Sequence, residues 1–206
     1  MRSESGTTSQ RRAPGRPREF DLDDALDGAV QVFREHGYHA ASLAHLCAAM
    51  RLASGSIYKA FRDKRALFFA AFDRYTARRT AHVQQAIEAE ATGRNKLRAM
   101  LNCYVEASLG DEGRRGCLVV ASAAELSTYD RDMAGVVGVA LKRVETRLRD
   151  LIRLGQADGS ISPSVDGRAA AGALLCFLQG LRVVGKVGRS RAEMASAADQ
   201  AMRLLA

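Results

Sequence analysis

RLASGSIYKAFRDKRAL, residues 51–67, divides into a tight turn, a helix of one to two turns, and the start of a long helix. Isolated helices shorter than about 12 residues are marginal in water, so this one must be held by its neighbours. Its outward face is small and polar, with Ser54, Gly55, Ser56 and Lys59 beside one aromatic hydroxyl, Tyr58. Bases follow at Arg62, Lys64 and Arg65. Ile57 and Phe61 are the candidate inward residues. A rigidly held helix with small hydrogen-bonding residues at its N-terminus and cations alongside suits a DNA major groove.

Upstream, Leu22, Ala25, Leu26, Ala29, Val30 and Phe33 recur at amphipathic-helix spacing. Asp21, Asp23, Asp24 and Asp27 crowd the first turns, where negative charge favours the helix dipole. Gly37 is the expected stop. Ser42 is placed to cap a second helix carrying Leu43, Leu46, Cys47 and Met50, and it is also within reach of a phosphate. A turn at Leu52 and Ala53 leads to Ser54, the expected N-cap of the third helix. Two helices joined in this way form a helix-turn-helix. Asp63 then caps a long helix that meets no breaker until about Thr92, before Gly93.

The ordered run Phe33, Gly37-Tyr38, Ser42-Leu43, Leu52-Ala53, Ser56-Ile57-Tyr58, Phe61, Lys64 and Leu67 resembles the DNA-binding domain of TetR-family transcriptional regulators. The resemblance covers the first third of the chain. It implies that Ser54, Gly55, Ser56, Tyr58 and Lys59 stand at recognition-helix positions, with Ser42 and Tyr58 at phosphates. Lys64 matches the backbone-contacting lysine at the start of the fourth helix, a helix that in the family transmits the signal from the body. The recognition face lacks an Arg, Gln or Asn to grip a base. Lys59, methyl contacts and DNA shape remain as sources of base discrimination.

The whole chain has 206 residues, 47% of them hydrophobic, with 31 Lys and Arg against 23 Asp and Glu for a net charge of +8. That balance favours an anionic partner. Residues 1–18 are expected to be a disordered basic arm, because they hold five Arg and one Glu and almost nothing to bury. Within this arm, PGRPR places Arg16 and Arg18 in a pattern resembling an AT-hook core, suited to a narrow minor groove; a solvated basic tail is the other reading. The N-terminus lacks the apolar core of a signal peptide, and the uncharged stretch from Ala169 to Leu181 is too short to span a bilayer. The four cysteines have neither CxxC nor zinc spacing, so reduced thiols in a soluble cytoplasmic protein are expected. The histidines form no metal-ligand pattern, and no nucleophile–base motif or phosphate loop occurs. No catalytic residue, metal or cofactor is therefore expected.

Beyond Gly93 the pattern stays helical, near Lys96–Leu109, Cys117–Tyr129, Arg131–Gln156, Asp166–Val187 and Arg191–Leu205. The expected architecture is all-α: a three-helix helix-turn-helix domain over residues 19–66 and a larger ligand-sensing and dimerisation bundle over 67–206. The apolar segment around Leu174, Leu178 and Leu181, with Met202 on the last helix, resembles the family's dimerisation region; an ordinary buried helix is the alternative. In RRGCL, Arg114 and Arg115 precede Cys117 near a helix start, electrostatics that favour a reactive thiolate. The stretch resembles one in a TetR branch that includes electrophile and oxidant sensors; a buried structural thiol is the alternative. Phe72, Tyr75, Cys103, Tyr104, Cys117, Met133 and Phe177 are the candidate lining of an inducer pocket.

These readings converge on a homodimer that binds double-stranded palindromic operator DNA and is released by a small-molecule inducer or by thiol modification. Two rivals make different forecasts. A nonspecific DNA-packaging protein would show steep salt dependence without site preference. A helical ligand carrier or enzyme would show ligand binding or turnover with no effect on DNA.

Overall fold

The computed structural model describes residues 22–206. Arg16 and Arg18, and with them the minor-groove expectation, lie outside the described residues. Among the described residues there are ten α-helices and no strand. They are α1 (Leu22–Ala40), α2 (Leu43–Met50), α3 (Ser54–Ala60), α4 (Lys64–Glu88), α5 (Gly93–Glu106), α6 (Gly110–Arg115), α7 (Leu118–Glu125), α8 (Arg131–Ala157), α9 (Gly167–Val184) and α10 (Arg191–Met202).

Local chemistry sets most of these boundaries. Asp23 and Asp24 occupy the first turn of α1, and Gly37 adopts φ 75°, ψ 177°, so the helix kinks there and continues briefly to Ala40 rather than stopping. A side chain would be strained at that φ. Ser42 and His45 form a reciprocal capping box on α2. Asp63 accepts from the Ala66 N–H at 2.7 Å and starts α4. The expectation for Ser54 needs correction: Ala53 occupies the N-cap of α3 without a side-chain bond, and Ser54 is the first helical residue. The fourth helix also ends sooner than Thr92, at Glu88, because the Thr92 side chain caps α5 instead.

Two apolar cores divide the molecule. The first joins α1–α4 through Phe33, Leu46, Ile57, Leu67, Phe68 and Phe72, and it also takes in Leu118 and Leu126 around α7 and Met133 and Val137 of α8. Phe33 and Phe68 meet edge to face at 4.8 Å. Each such fully buried side chain contributes about 1.5–3 kcal/mol. The second core packs Val83 and Ile87 of α4 with Leu97, Leu101, Leu148, Ile152, Leu174 and Leu178. Helix α4 therefore belongs to both cores and mechanically connects them.

The interface expectation is corrected by burial. Leu174, Leu178, Leu181 and Met202 are 0–3% exposed inside the protomer's own second core. The opposite face of α9 carries the exposed residues, including Cys176, Gly180, Val183 and Val184. Helix α9 with the 3-10 turn after it, Gly167–Val187, is long and apolar enough to cross a membrane by composition, yet its Leu face is covered by α5, α8 and α10.

Candidate functional site

Helix α3 has only two turns, so its orientation depends on Ile57, 2% exposed in the first core, and on packing against α2. That anchoring turns Ser54, Gly55, Tyr58 and Lys59 outward, with Ser56 half-buried. Tyr58 is 53% exposed and contributes little to the core. A Cβ added at Gly55 would meet no atom within 4 Å, so the fold itself does not require glycine there. Gly28 on α1 behaves oppositely: a Cβ would lie 2.3 Å from the Ala49 carbonyl oxygen, and only glycine allows α1 and α2 to cross this closely. Ser42 sits exposed at the start of α2, where its hydroxyl accepts from the His45 N–H at 3.1 Å. The Lys64 ammonium donates to the His39 carbonyl at 3.3 Å and lies 4.9 Å above the Tyr38 ring. Partial desolvation holds its pKa below the usual lysine range.

A second feature lies in the body. Helices α4, α5, α8 and α9 and the start of α7 enclose a cavity of ≈ 690 Å³, including the solvent at its mouth. Of the seven residues named as candidate inducer-pocket lining, Tyr75, Tyr104 and Cys117 border it. The other four candidates do not. Phe72 and Met133, each 1% exposed, are fixed in the first core, and Cys103 is buried in the second. Phe177 lines a separate groove between α9 and α10. Arg79, Arg143, Arg147 and Arg182 also border the cavity, although Arg79 reads in sequence as a solvent-facing residue and Arg182 sits in an otherwise apolar helix. Burial raises the Tyr75 phenol well above its ordinary value and pushes Tyr104 up to about 12.

Cys117 is the N-cap of α7, with its side chain free of capping bonds. The arginines beside it in sequence are engaged elsewhere: Arg114 pairs with Asp111, and Arg115 pairs with Glu35 at 3.1 Å. Positive charge reaches the thiol's cavity from Arg79 and Arg182 instead. No short-range pattern signals this, since those residues lie on distant helices.

The cavity adjoins the contacts that join the two cores. The Gly116 carbonyl accepts from Arg34 on α1, at 2.6 Å and 2.9 Å, and from Arg182 on α9, at 3.1 Å. Arg34 also forms a salt bridge with Glu112 at 2.9 Å and stands 5.4 Å from the centre of the Tyr75 ring. At the far end of α7, the Glu125 carboxylate accepts from the Tyr38 and His39 N–H groups just past the Gly37 kink. Arg65 at the start of α4 holds Asp130 and Asp132 at the start of α8. Helix α7 thus has one end in the cavity wall and the other against the helix that supports α2 and α3.

Comparison with known proteins identifies the arrangement. Residues 25–71 match the family model for bacterial regulatory proteins of the tetR family, and residues 93–201 match the tetracycline-repressor-like C-terminal domain. The chain belongs to the TetR family. It is accordingly a DNA-binding transcriptional regulator. It is 31% identical to the HTH-type transcriptional repressor ComR of Escherichia coli K12 over 203 residues, 96% of this chain and 95% of ComR. Among solved structures, the TetR regulator CifR, as a cysteine mutant complexed with 26 bp double-strand operator DNA, superposes with a TM-score of 0.82 at 30% identity, covering 91% of this chain and 98% of that one. Reduced NemR of E. coli shares the fold, with a TM-score of 0.75 at 22% identity over 89% of this chain and 96% of that one. In this TetR chain the helix-turn-helix is formed by α2 and α3.

Proposed function

We propose that this TetR protein is a cytoplasmic homodimeric repressor that occupies a palindromic operator and leaves it when the cavity is filled or Cys117 is modified. The observation that carries the proposal is the Gly116 carbonyl, which is adjacent to Cys117 and accepts hydrogen bonds from both Arg34 and Arg182. A ligand or adduct that displaces this carbonyl alters the seating of α1, and with it the separation of two recognition helices across a two-fold axis. Operator affinity then falls because the DNA binds the two arrangements unequally. Resemblance to ComR and to operator-bound CifR supports the repressor reading.

In the bound state, Ser54, Gly55, Ser56, Tyr58 and Lys59 face the major groove, with Ser42, Tyr58 and Lys64 at phosphates. Lys64 needs little rearrangement: one N–H holds the His39 carbonyl and the others remain available. The exposed face of α9, through Cys176, Gly180 and Val184, together with α10, forms the subunit contact. Modification at Cys117 by a Michael acceptor such as N-ethylmaleimide forms a carbon–sulfur bond as the carbon–carbon π bond breaks, with the thiol proton ending, by way of solvent, on the adjacent carbon.

The test is operator binding by fluorescence anisotropy with and without N-ethylmaleimide. Tyr58→Ala and Lys64→Ala should weaken binding at least ten-fold while leaving the dimer intact; unchanged affinity removes their assigned roles. Cys117→Ser should bind operator normally and ignore the reagent. A preserved response in that variant would exclude Cys117 as the sensor.

A further inference from the structure

Among the described residues, the cavity wall contains four arginines and no carboxylate. Arg79 Nη2, Arg147 Nη1 and Arg182 Nε are buried there and meet no hydrogen-bond partner among the described residues, while the buried Tyr75 hydroxyl lies beside the Cys117 thiol. Arg182 is 2% exposed and Tyr75 is 6% exposed. Arg79 and Arg147 are half-buried. A guanidinium buried as deeply as Arg182 is normally matched by acids or carbonyls, because an unmatched buried charge is costly. Arg182 meets part of this requirement through Ser108 and the Gly116 carbonyl, but its Nε is left over. Arg79 has its guanidinium 5.4 Å from the centre of the Tyr104 ring, a cation–π contact that keeps it at the wall. The Arg79, Arg147 and Arg182 charges all reach the Tyr104 phenol and oppose the upward pull of burial on it. Between these donors the lining is mostly apolar, with Val83, Leu141 and Val144 among its residues beside the uncharged Thr76, Thr80 and Gln179.

From the guanidinium nitrogens left without partners around a largely apolar chamber, we infer that the cavity is a binding site for a small organic carboxylate. Its anionic head is held by Arg79, Arg147 and Arg182 with a hydrogen bond from Tyr75, and its apolar body lies against Val83, Leu141 and Val144. This deepens the proposed function by giving the cavity a chemical class of effector. The planar guanidinium fork matches a carboxylate in two-point geometry, and the apolar remainder of the wall disfavours a fully hydrated inorganic ion. Because Arg182 shares the Gly116 carbonyl with Arg34, drawing Arg182 toward a carboxylate loosens the same carbonyl that seats α1. Cys117 in the same wall places a thiol beside the bound molecule.

The test titrates the free full-length protein calorimetrically with benzoate and with straight-chain carboxylates of four to ten carbons. Each is paired with its neutral amide, and inorganic phosphate is run alongside. Saturable binding of at least one carboxylate, at least ten-fold tighter than its amide and than phosphate, is expected. Arg147→Gln and Arg79→Gln should weaken it at least ten-fold. Arg147→Met, which removes an unmatched charge, should leave the midpoint of thermal unfolding of the free protein unchanged or higher, where a structural arginine would lower it. Equal binding of acid and amide, tightest binding by phosphate, no binding by any carboxylate, or full binding by both Gln variants would overturn the inference. Operator anisotropy is measured separately. Carboxylate binding without operator release would uphold the anion site while removing the release step of the proposed function.

Discussion

Replacing Arg34 by Met should uncouple the two halves of the molecule, and its energetic consequence can be worked from the contacts. Arg34 is 7% exposed. Its guanidinium donates to the Gly116 carbonyl, to the Glu112 carbonyl at 3.0 Å and to the Glu112 carboxylate at 2.9 and 3.1 Å. Hydrogen bonds from charged groups contribute about 1.5–3 kcal/mol each, and removing one member of a buried pair costs about 3–5 kcal/mol. Two features reduce that cost. The Glu112 side chain is 42% exposed and rehydrates, and the Gly116 carbonyl keeps Arg182. A loss of about 2–3 kcal/mol is the resulting expectation. Urea unfolding measures it directly, and a double-mutant cycle with Glu112→Gln should return a coupling of about 1–2 kcal/mol. In the same variant, N-ethylmaleimide at Cys117 should change operator affinity far less than in the parent. A loss below about 1 kcal/mol, or an undiminished reagent response, would refute the assignment of Arg34 as the connection.

Other outcomes follow from single residues. Ser42→Ala should destabilise by about 1 kcal/mol by removing the cap of α2, as read by denaturant unfolding. Gly37→Ala should cost about 1–2 kcal/mol, since φ is 75° there and the new Cβ would lie 2.8 Å from a Glu125 carboxylate oxygen. The bond from Arg74, opposed in part by burial, holds Asp27 below the ordinary aspartate value. A folded pKa below the unfolded one means that its stabilisation is present above about pH 4 and disappears as pH falls through the folded value. Asp27→Asn should therefore flatten the acid limb of a stability–pH curve. Gly180→Glu should convert the dimer to monomer in sedimentation without unfolding it, because a Cβ at Gly180 meets no atom within 4 Å.

The parts of the molecule legible in sequence are those built from short-range chemistry. Ser42, Asp63 and Ile57 act within a turn or two of their own positions, so the capping of α2, the start of α4 and the inward face of α3 follow from local spacing. Ser54 was misplaced by one residue because a serine at a helix start is as compatible with the first turn as with the cap. Helix α6 escaped notice because GDEGRR is six residues with two glycines, too short for a periodic pattern. The cavity was only partly legible. Its aromatic and thiol lining, Tyr75, Tyr104 and Cys117, follows from residue type, but the convergence of Arg79, Arg147 and Arg182 depends on how α4, α8 and α9 cross. The expected interface residues on α9 lie on its most apolar face, and the protomer's own core takes that face.

The central claim, a two-fold-symmetric reader of specific DNA, is tested most directly by selecting bound sequences from a random duplex pool with the purified protein at near-physiological salt. Recovery of a palindromic motif, lost on Tyr58→Ala, is the predicted result. Binding that falls steeply with salt and enriches no motif, from protein shown to be folded, would contradict it and favour nonspecific attachment through the phosphate backbone.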